Sequence, residues 1–271
     1  LSVSGVLSAE VRARTLARFD EHRRAWEANA ALRELYREWY GRVAAELPPP
    51  ALGPRVELGS GPGFARAFIP DLELTDVVKA PWHDREASAE ELPYGEASLG
   101  ALVLFDVLHH LPAPARFFAE AARVLRVGGR VVLCEPYVSV MSYPVYKFLH
   151  EEPFDLGVDP LAPAAASTRD PFDSNQALPT LLFARERGLS AFARAFPALA
   201  VRRVERLAGP SYPGSGGFSR APLLPAPVWS ALRRLEARLP EAAFRVIGFR
   251  MLIVLERTDT TGANQYKMPA S

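Results

Sequence analysis

Between residues 55 and 136 short apolar runs alternate with a glycine-rich turn and a helical segment, and this order constrains the fold more than any other feature. Val56-Glu57-Leu58 is a brief apolar run that ends in Gly59-Ser60-Gly61-Pro62-Gly63. Further apolar runs occupy 72–77, 101–107 and 130–134. Between the last two, Phe117, Phe118, Ala121, Ala122, Val124 and Leu125 recur at helical spacing over 113–125, and Gly128-Gly129 is expected to stop that helix. Strands joined through a helix in this order predict an α/β protein whose parallel sheet is covered on both faces.

The flanks read differently. Residues 8–47 are rich in Ala, Arg, Glu and Leu, and Leu32, Leu35, Tyr36, Trp39 and Tyr40 fall at helical spacing. One or two amphipathic helices are expected there, ended by Pro48-Pro49-Pro50, with the apolar face on the core or, alternatively, over a substrate pocket. After Pro136 an aromatic-rich stretch leads into 157–175, dominated by Pro, Ala, Ser and Asp, which predicts a lid or surface insertion over about 137–180. A helix over 178–195, a strand over 199–207, a helix over 227–239 and a final strand over 246–255 follow. The organisation expected is an N-terminal helical extension (1–50), an α/β domain (51–257) and a flexible tail (258–271).

Composition narrows the function. The 32 basic and 31 acidic side chains leave a net charge of +1, so no global field attracts a polyanion and nucleic acid is not the expected partner. Cys134 is the sole cysteine, which excludes an internal disulfide and a multi-cysteine metal site and predicts a reducing, cytoplasmic compartment. No apolar run is long enough for a membrane span, and no signal-peptide core is present at the start of the chain.

The glycine turn selects the ligand class. Three glycines let the backbone turn sharply and approach a ligand. A dinucleotide fingerprint would place its third small residue at position 64, which is Phe64, and Pro62 removes an N–H that a pyrophosphate would use. Glu57 adds a carboxylate beside the loop, which repels a pyrophosphate and favours a ligand carrying an ammonium and a sulfonium, namely S-adenosylmethionine. Asp76, 19 positions later at a strand end, is placed to accept ribose hydroxyls.

Four segments then carry a resemblance. Glu57 to Gly63, Glu90-Glu91-Leu92-Pro93-Tyr94, Asp106-Val107-Leu108-His109-His110-Leu111 and Arg123 to Arg130 stand in the order of motifs of class I S-adenosylmethionine-dependent methyltransferases, and the chain resembles their ubiquinone-biosynthesis-like group. The resemblance implies a Rossmann-like, seven-stranded, mostly parallel sheet with an antiparallel last strand. It also implies a cofactor site of Glu57, Gly59, Ser60, Gly61, Gly63, Asp76, Ser88, Ala89, Glu90, Leu92, Asp106 and His109, with S-adenosylhomocysteine as product. Ser88 stands where many such proteins carry an aspartate for the adenine, and Gly100 replaces another common aspartate.

Methyl transfer from a sulfonium needs positioning and water exclusion first, and a base only for acceptors such as hydroxyls. His109, His110 and Glu135 are the candidates for that work, at the carboxyl edge of the sheet where α/β folds bind ligands. Tyr137, Tyr143, Tyr146, His150 and Asn175 are candidate walls of the acceptor pocket. No metal is expected, because His150, Glu151 and Glu152 are consecutive and do not share a helix face. The function expected is methyl transfer to a small molecule, with oxygen favoured as acceptor atom because no aromatic-acidic motif of amino-group methylation is evident. A cofactor-binding protein without turnover and a nicotinamide-dependent oxidoreductase are the alternatives.

Overall fold

The computed structural model describes residues 7–149, 152–162 and 174–259. The helices α1 (Ala9–Ala28) and α2 (Ala30–Glu46) open the chain, followed by β1 (Arg55–Leu58), β2 (Leu72–Asp76), β3 (Arg85–Glu86), β4 (Leu99–Phe105), α3 (Pro114–Val124) and β5 (Leu125–Pro136). Then come α4 (Ser142–Phe148), α5 (Leu178–Phe183), α6 (Glu186–Ala195), β6 (Leu199–Leu207), α7 (Ser211–Gly214), α8 (Ala226–Glu236), α9 (Glu241–Ile247) and β7 (Arg250–Arg257). Seven strands form one sheet in the order β3-β2-β1-β4-β5-β7-β6, with β7 antiparallel to both of its neighbours and the other pairings parallel. This is the Rossmann-like, mostly parallel seven-stranded sheet with an antiparallel last strand that the resemblance implies.

Period-two alternation divides the core between the two faces of the sheet. Val56, Leu58, Leu102, Leu104, Val131, Leu133, Ile253 and Leu255 point to one side, where Phe117 and Phe118 of α3 and Phe183 and Phe192 of α5 and α6 cover them. Val103, Phe105, Val132, Cys134, Leu252 and Val254 point to the other, beneath Leu32, Leu35, Tyr36, Trp39, Tyr40 and Val43 of α2. The segment between β1 and β2 supplies only a single 3₁₀ turn, Phe64–Ala67, so α2 takes the place of a crossover helix on that face.

Several boundaries differ from expectation for local reasons. Asn29 is extended and caps both neighbours, accepting from the Leu32 N–H at 3.1 Å while its own N–H reaches the Ala25 carbonyl, which splits 8–47 into two helices. Gly128-Gly129 does not end α3, which stops at Val124; these residues lie inside β5, where Gly128 adopts φ +82° at a register shift against β4. The stretch 178–195 is broken at Ala184-Arg185, and Gly188 allows α6 to approach α5 so closely that a Cβ there would lie within van der Waals contact of the Leu181 carbonyl. Val246 and Ile247 belong to α9, and the final strand starts only at Arg250. The two-residue β3 has no sequence signal. Parts of the expected lid (150, 151 and 163–173) and most of the expected tail (260–271) lie outside the described residues. Among the described residues no helix is long and apolar enough to cross a membrane.

Candidate active site

The carboxyl ends of β1, β2 and β4 open on a single large cavity of about 1580 Å³. One ligand pocket usually occupies about 300–1,000 Å³, so this volume accommodates two molecules side by side. Its roof is α1, through Val11, Thr15, Phe19 and His22. That helix is latched on the β3 side by Arg12, whose guanidinium meets Glu86 at 2.6 and 3.0 Å, and over the glycine turn by Arg23, which donates to the Pro62 carbonyl at 2.9 Å. Thus α1 lies over the cavity, while α2 packs on the core.

At one end of the cavity the glycine turn is held from several sides. Asp76 accepts from the Gly61 N–H at 2.9 Å and the Val78 N–H at 3.0 Å, and burial pushes its carboxyl up against the pull of those bonds. His83 and Trp82 both reach the Gly61 carbonyl, at 2.7 and 2.8 Å. The His83 Nδ1 accepts from the Ala80 N–H, which leaves its Nε2 as the donor to that carbonyl. Gly59 has φ +67°, and a Cβ on it would lie 2.6 Å from the Val107 side chain. Gly59→Ala is expected to lose about 2–4 kcal/mol of stability from the left-handed backbone and the collision together. Gly61→Ala, whose nearest neighbour would be 3.6 Å away, should lose only about 1–2 kcal/mol, both variants being compared with the parent by urea unfolding.

Glu57 is the exceptional group. It projects from β1 to the α2 side, where the Tyr40 hydroxyl donates to Oε1 at 3.3 Å, and its Oε2 is buried without a hydrogen-bond partner. Burial pushes its pKa up to about 8, in spite of the hydrogen bonds from Ser60 and Tyr40. An orphaned carboxylate oxygen on a cavity wall fits the ammonium of a cationic ligand.

Toward the other end lies Asp106, in the left-handed region at φ +58° and bonded to Arg250 at 2.5 Å. The Arg250 guanidinium is buried against the rings of Trp39, Phe105 and Tyr212. Beyond Asp106, His109 Nδ1 meets Glu135 Oε2 at 2.7 Å, and Glu135 Oε1 accepts from the Val107 and Leu108 N–H groups at 2.9 and 2.7 Å. The Nε2 of His109 lies 3.6 Å from Glu152 Oε2. Burial alone would lower the imidazole's pKa, but Glu135 and Glu152 override it and push it up to about 10. Glu152 in turn accepts from Ser174 at 2.9 Å and from Gln176. Aromatic rings of Tyr36, Tyr146, Tyr212 and Phe218 complete this end, and His22 stacks on Phe218 at 4.6 Å.

Residues 57–133 match the family described as methyltransferase domain. A similar curated protein is the 27-O-demethylrifamycin SV methyltransferase of Amycolatopsis mediterranei (strain S699), 31% identical over 134 residues that cover 41% of this chain and 49% of that protein. The chain thus spans about half the length of that relative. Among solved structures, the geranyl diphosphate C-methyltransferase of Streptomyces coelicolor A3(2) is similar with a TM-score of 0.44 and 16% identity, over 84% of this chain and 81% of the other. The [4+2]-cyclase SpnF is similar with a TM-score of 0.45 and 13% identity, over 82% and 80%. At these values the two structures carry no argument about the site.

Of the residues that the sequence and its resemblance assign to the cofactor, the fold brings Glu57, Gly59, Ser60, Gly61, Asp76, Ser88, Ala89, Glu90, Leu92, Asp106 and His109 to the cavity wall. Gly63 is set back against Trp82. The Ser88 hydroxyl accepts from the Glu90 N–H at 3.2 Å, which braces its own loop, and Glu90 accepts from the Ala113 N–H at 2.6 Å, which ties that loop to the start of α3. His110 lines the cavity, and Glu135 stands buried behind His109. Of the acceptor-pocket set only Tyr146 reaches the wall. Tyr137 is buried with its hydroxyl on the Arg245 carbonyl at 3.1 Å, Tyr143 packs on Phe154, and Asn175 clasps the backbone of Asp155. His150 lies outside the described residues. Glu152, a polar residue of the aromatic-rich stretch, and Gln176 both line the cavity. Sequence reasoning missed Arg250, His22, Trp82 and His83, which carry no local motif.

Proposed function

We propose that this protein transfers a methyl group from S-adenosylmethionine to a hydroxyl of a small, largely apolar molecule. The observation that carries the reading is the buried, partnerless Oε2 of Glu57 beside a glycine turn, on the wall of a cavity with room for two ligands. In this reading Glu57 takes the ammonium of the cofactor, Asp76 the ribose and the 88–92 loop the adenine edge. When bound, the cofactor supplies an electrophilic methyl on a sulfonium whose departure needs no proton. The chain's own work is orientation and exclusion of water under α1.

The acceptor end supports an apolar molecule with one polar anchor, since rings of Tyr36, Tyr146, Tyr212 and Phe218 surround the polar group His109, His110 and Glu152. His109 is held between Glu135 and Glu152, and the group it forms with Glu152 on the cavity wall is placed to hold an acceptor hydroxyl and to take up the proton that its methylation releases. Oxygen as the methylated atom is also supported by the name of the rifamycin relative.

Calorimetric titration with S-adenosylmethionine and S-adenosylhomocysteine, with NAD as control, tests the reading. Micromolar binding of both sulfur ligands and none of NAD is expected. Absence of binding, or preference for NAD, overturns it.

A further inference from the structure

We propose that His109, His110 and Glu152 form a binding site for a divalent transition-metal cation at the acceptor end of the cavity. This deepens the functional reading above and rests on it only for the identity of the neighbouring ligand. The three side chains each offer a ligand atom, these atoms lie within 4.8 Å of one another, and all three residues line the cavity. His109 Nε2 and Glu152 Oε2 are 3.6 Å apart. That distance is long for a hydrogen bond, whereas two ligands at about 2.1 Å from one tetrahedral ion stand about 3.4 Å apart.

The surroundings have the arrangement that metal ligands require. A ligating imidazole ordinarily donates its second ring N–H to a carboxylate, which fixes the tautomer and raises the basicity of the ligating nitrogen. His109 meets Glu135 in this way at 2.7 Å, and Glu135 is itself fixed by the Val107 and Leu108 N–H groups. The Glu152 carboxylate is oriented by Ser174 and Gln176. A second possible trio, Asp106, His109 and Glu135, does not compete, because Arg250 occupies Asp106 and Glu135 Oε2 is already bonded to His109 Nδ1. Two imidazoles and one carboxylate select an ion such as Zn²⁺, Co²⁺, Fe²⁺ or Mn²⁺ over Ca²⁺. All three residues line the cavity, so an ion held by them would have further coordination positions to offer an acceptor that presents a hydroxyl or two neighbouring oxygens.

The sequence argument against a metal concerned His150, Glu151 and Glu152 as neighbours on one helix. Folding instead carries Glu152 to the pair that follows β4, a juxtaposition no local spacing encodes.

The test uses the full chain, stripped with a chelator and titrated with Co²⁺ alone, read by calorimetry and by the visible absorption of the bound ion. One Co²⁺ per chain is expected. His110→Ala and Glu152→Gln should each weaken it by at least about tenfold, and Glu135→Gln by about 10–100-fold through the orientation of His109. Glu57→Gln, at the far end of the cavity, should bind Co²⁺ as the parent does. Unchanged thermal unfolding of the cation-free variants keeps the comparison one of binding. Absence of Co²⁺ binding, or binding that both His110→Ala and Glu152→Gln leave intact, overturns the site. S-adenosylmethionine titrated into the same samples separates the two proposals: cofactor binding without Co²⁺ binding removes only the metal site, and Co²⁺ binding without cofactor binding removes only the methyl-transfer reading.

Discussion

Glu57→Gln is expected to weaken S-adenosylmethionine binding by about 10–100-fold, the loss of one charge-assisted contact worth about 1.5–3 kcal/mol. The same variant should abolish a proton release. With its pKa pushed up to about 8 by burial, Glu57 holds a proton at pH 7 in the cofactor-free chain and gives it up when an ammonium arrives. Titrations in buffers of different ionisation enthalpy should therefore give different heats for the parent and equal heats for Glu57→Gln. Affinity should rise as pH climbs from 6 toward 8, because less proton remains to be displaced. Stability runs the other way. The folded pKa lies above the ordinary 4.5, so the native state binds the extra proton, and the cofactor-free chain loses stability as pH rises from about 4.5 through about 8. A neutral amide removes that dependence, so above pH 8 the cofactor-free Glu57→Gln chain should be the more stable one. Equal heats in all buffers for the parent would mean that Glu57 is already ionised.

Asp106→Asn is expected to lower stability by about 3–5 kcal/mol in urea unfolding, because it strands the buried Arg250 guanidinium. Asparagine tolerates the left-handed backbone at this position, so the change isolates the charge. The Arg250 Nε is already buried without a partner, and ring faces alone do not replace a carboxylate at 2.5 Å. Removing both charges, as in Asp106→Asn with Arg250→Met, should recover most of the loss, since an apolar side chain suits the faces of Trp39, Phe105 and Tyr212. A loss below about 1 kcal/mol for Asp106→Asn would show that the rings suffice to hold the guanidinium.

The part of the molecule legible in the sequence is the part governed by short-range signals. The apolar run at Val56-Glu57-Leu58, its glycines and the alternation through Cys134 define the sheet, and the charge of Glu57 beside that turn selects the cofactor class. The acceptor end is assembled from long-range contacts. Glu152 meets His109 from 43 residues downstream and Arg250 meets Asp106 from 144, so neither pair leaves a spacing to read. Aromatic content misleads for the same reason: Tyr137 and Tyr143 lie in a stretch that reads as pocket wall, yet tertiary packing puts one in the core and the other against Phe154. Periodicity leaves open whether 8–47 is one helix or two, which the cap at Asn29 decides, and the single helix expected over 178–195 breaks at Ala184-Arg185, where Gly188 lets α6 pack closely on α5.

The substitution of α2 for a crossover helix has a consequence for what counts as a unit of this protein. Likeness to the methyltransferase-domain family is detectable over residues 57–133, yet the six large side chains that seal one face of the sheet come from residues 32–43. The recognisable segment is therefore smaller than the cooperative one. Transplanted or expressed from residue 51, it would present Val103, Phe105, Val132 and Val254 to water as a bare apolar surface, and Glu57 would lose both the burial that tunes it and the Tyr40 hydroxyl that steadies it. The ancestry of the fold can be read in its middle, but its integrity and the chemistry of its first carboxylate are inherited from the N-terminal helices.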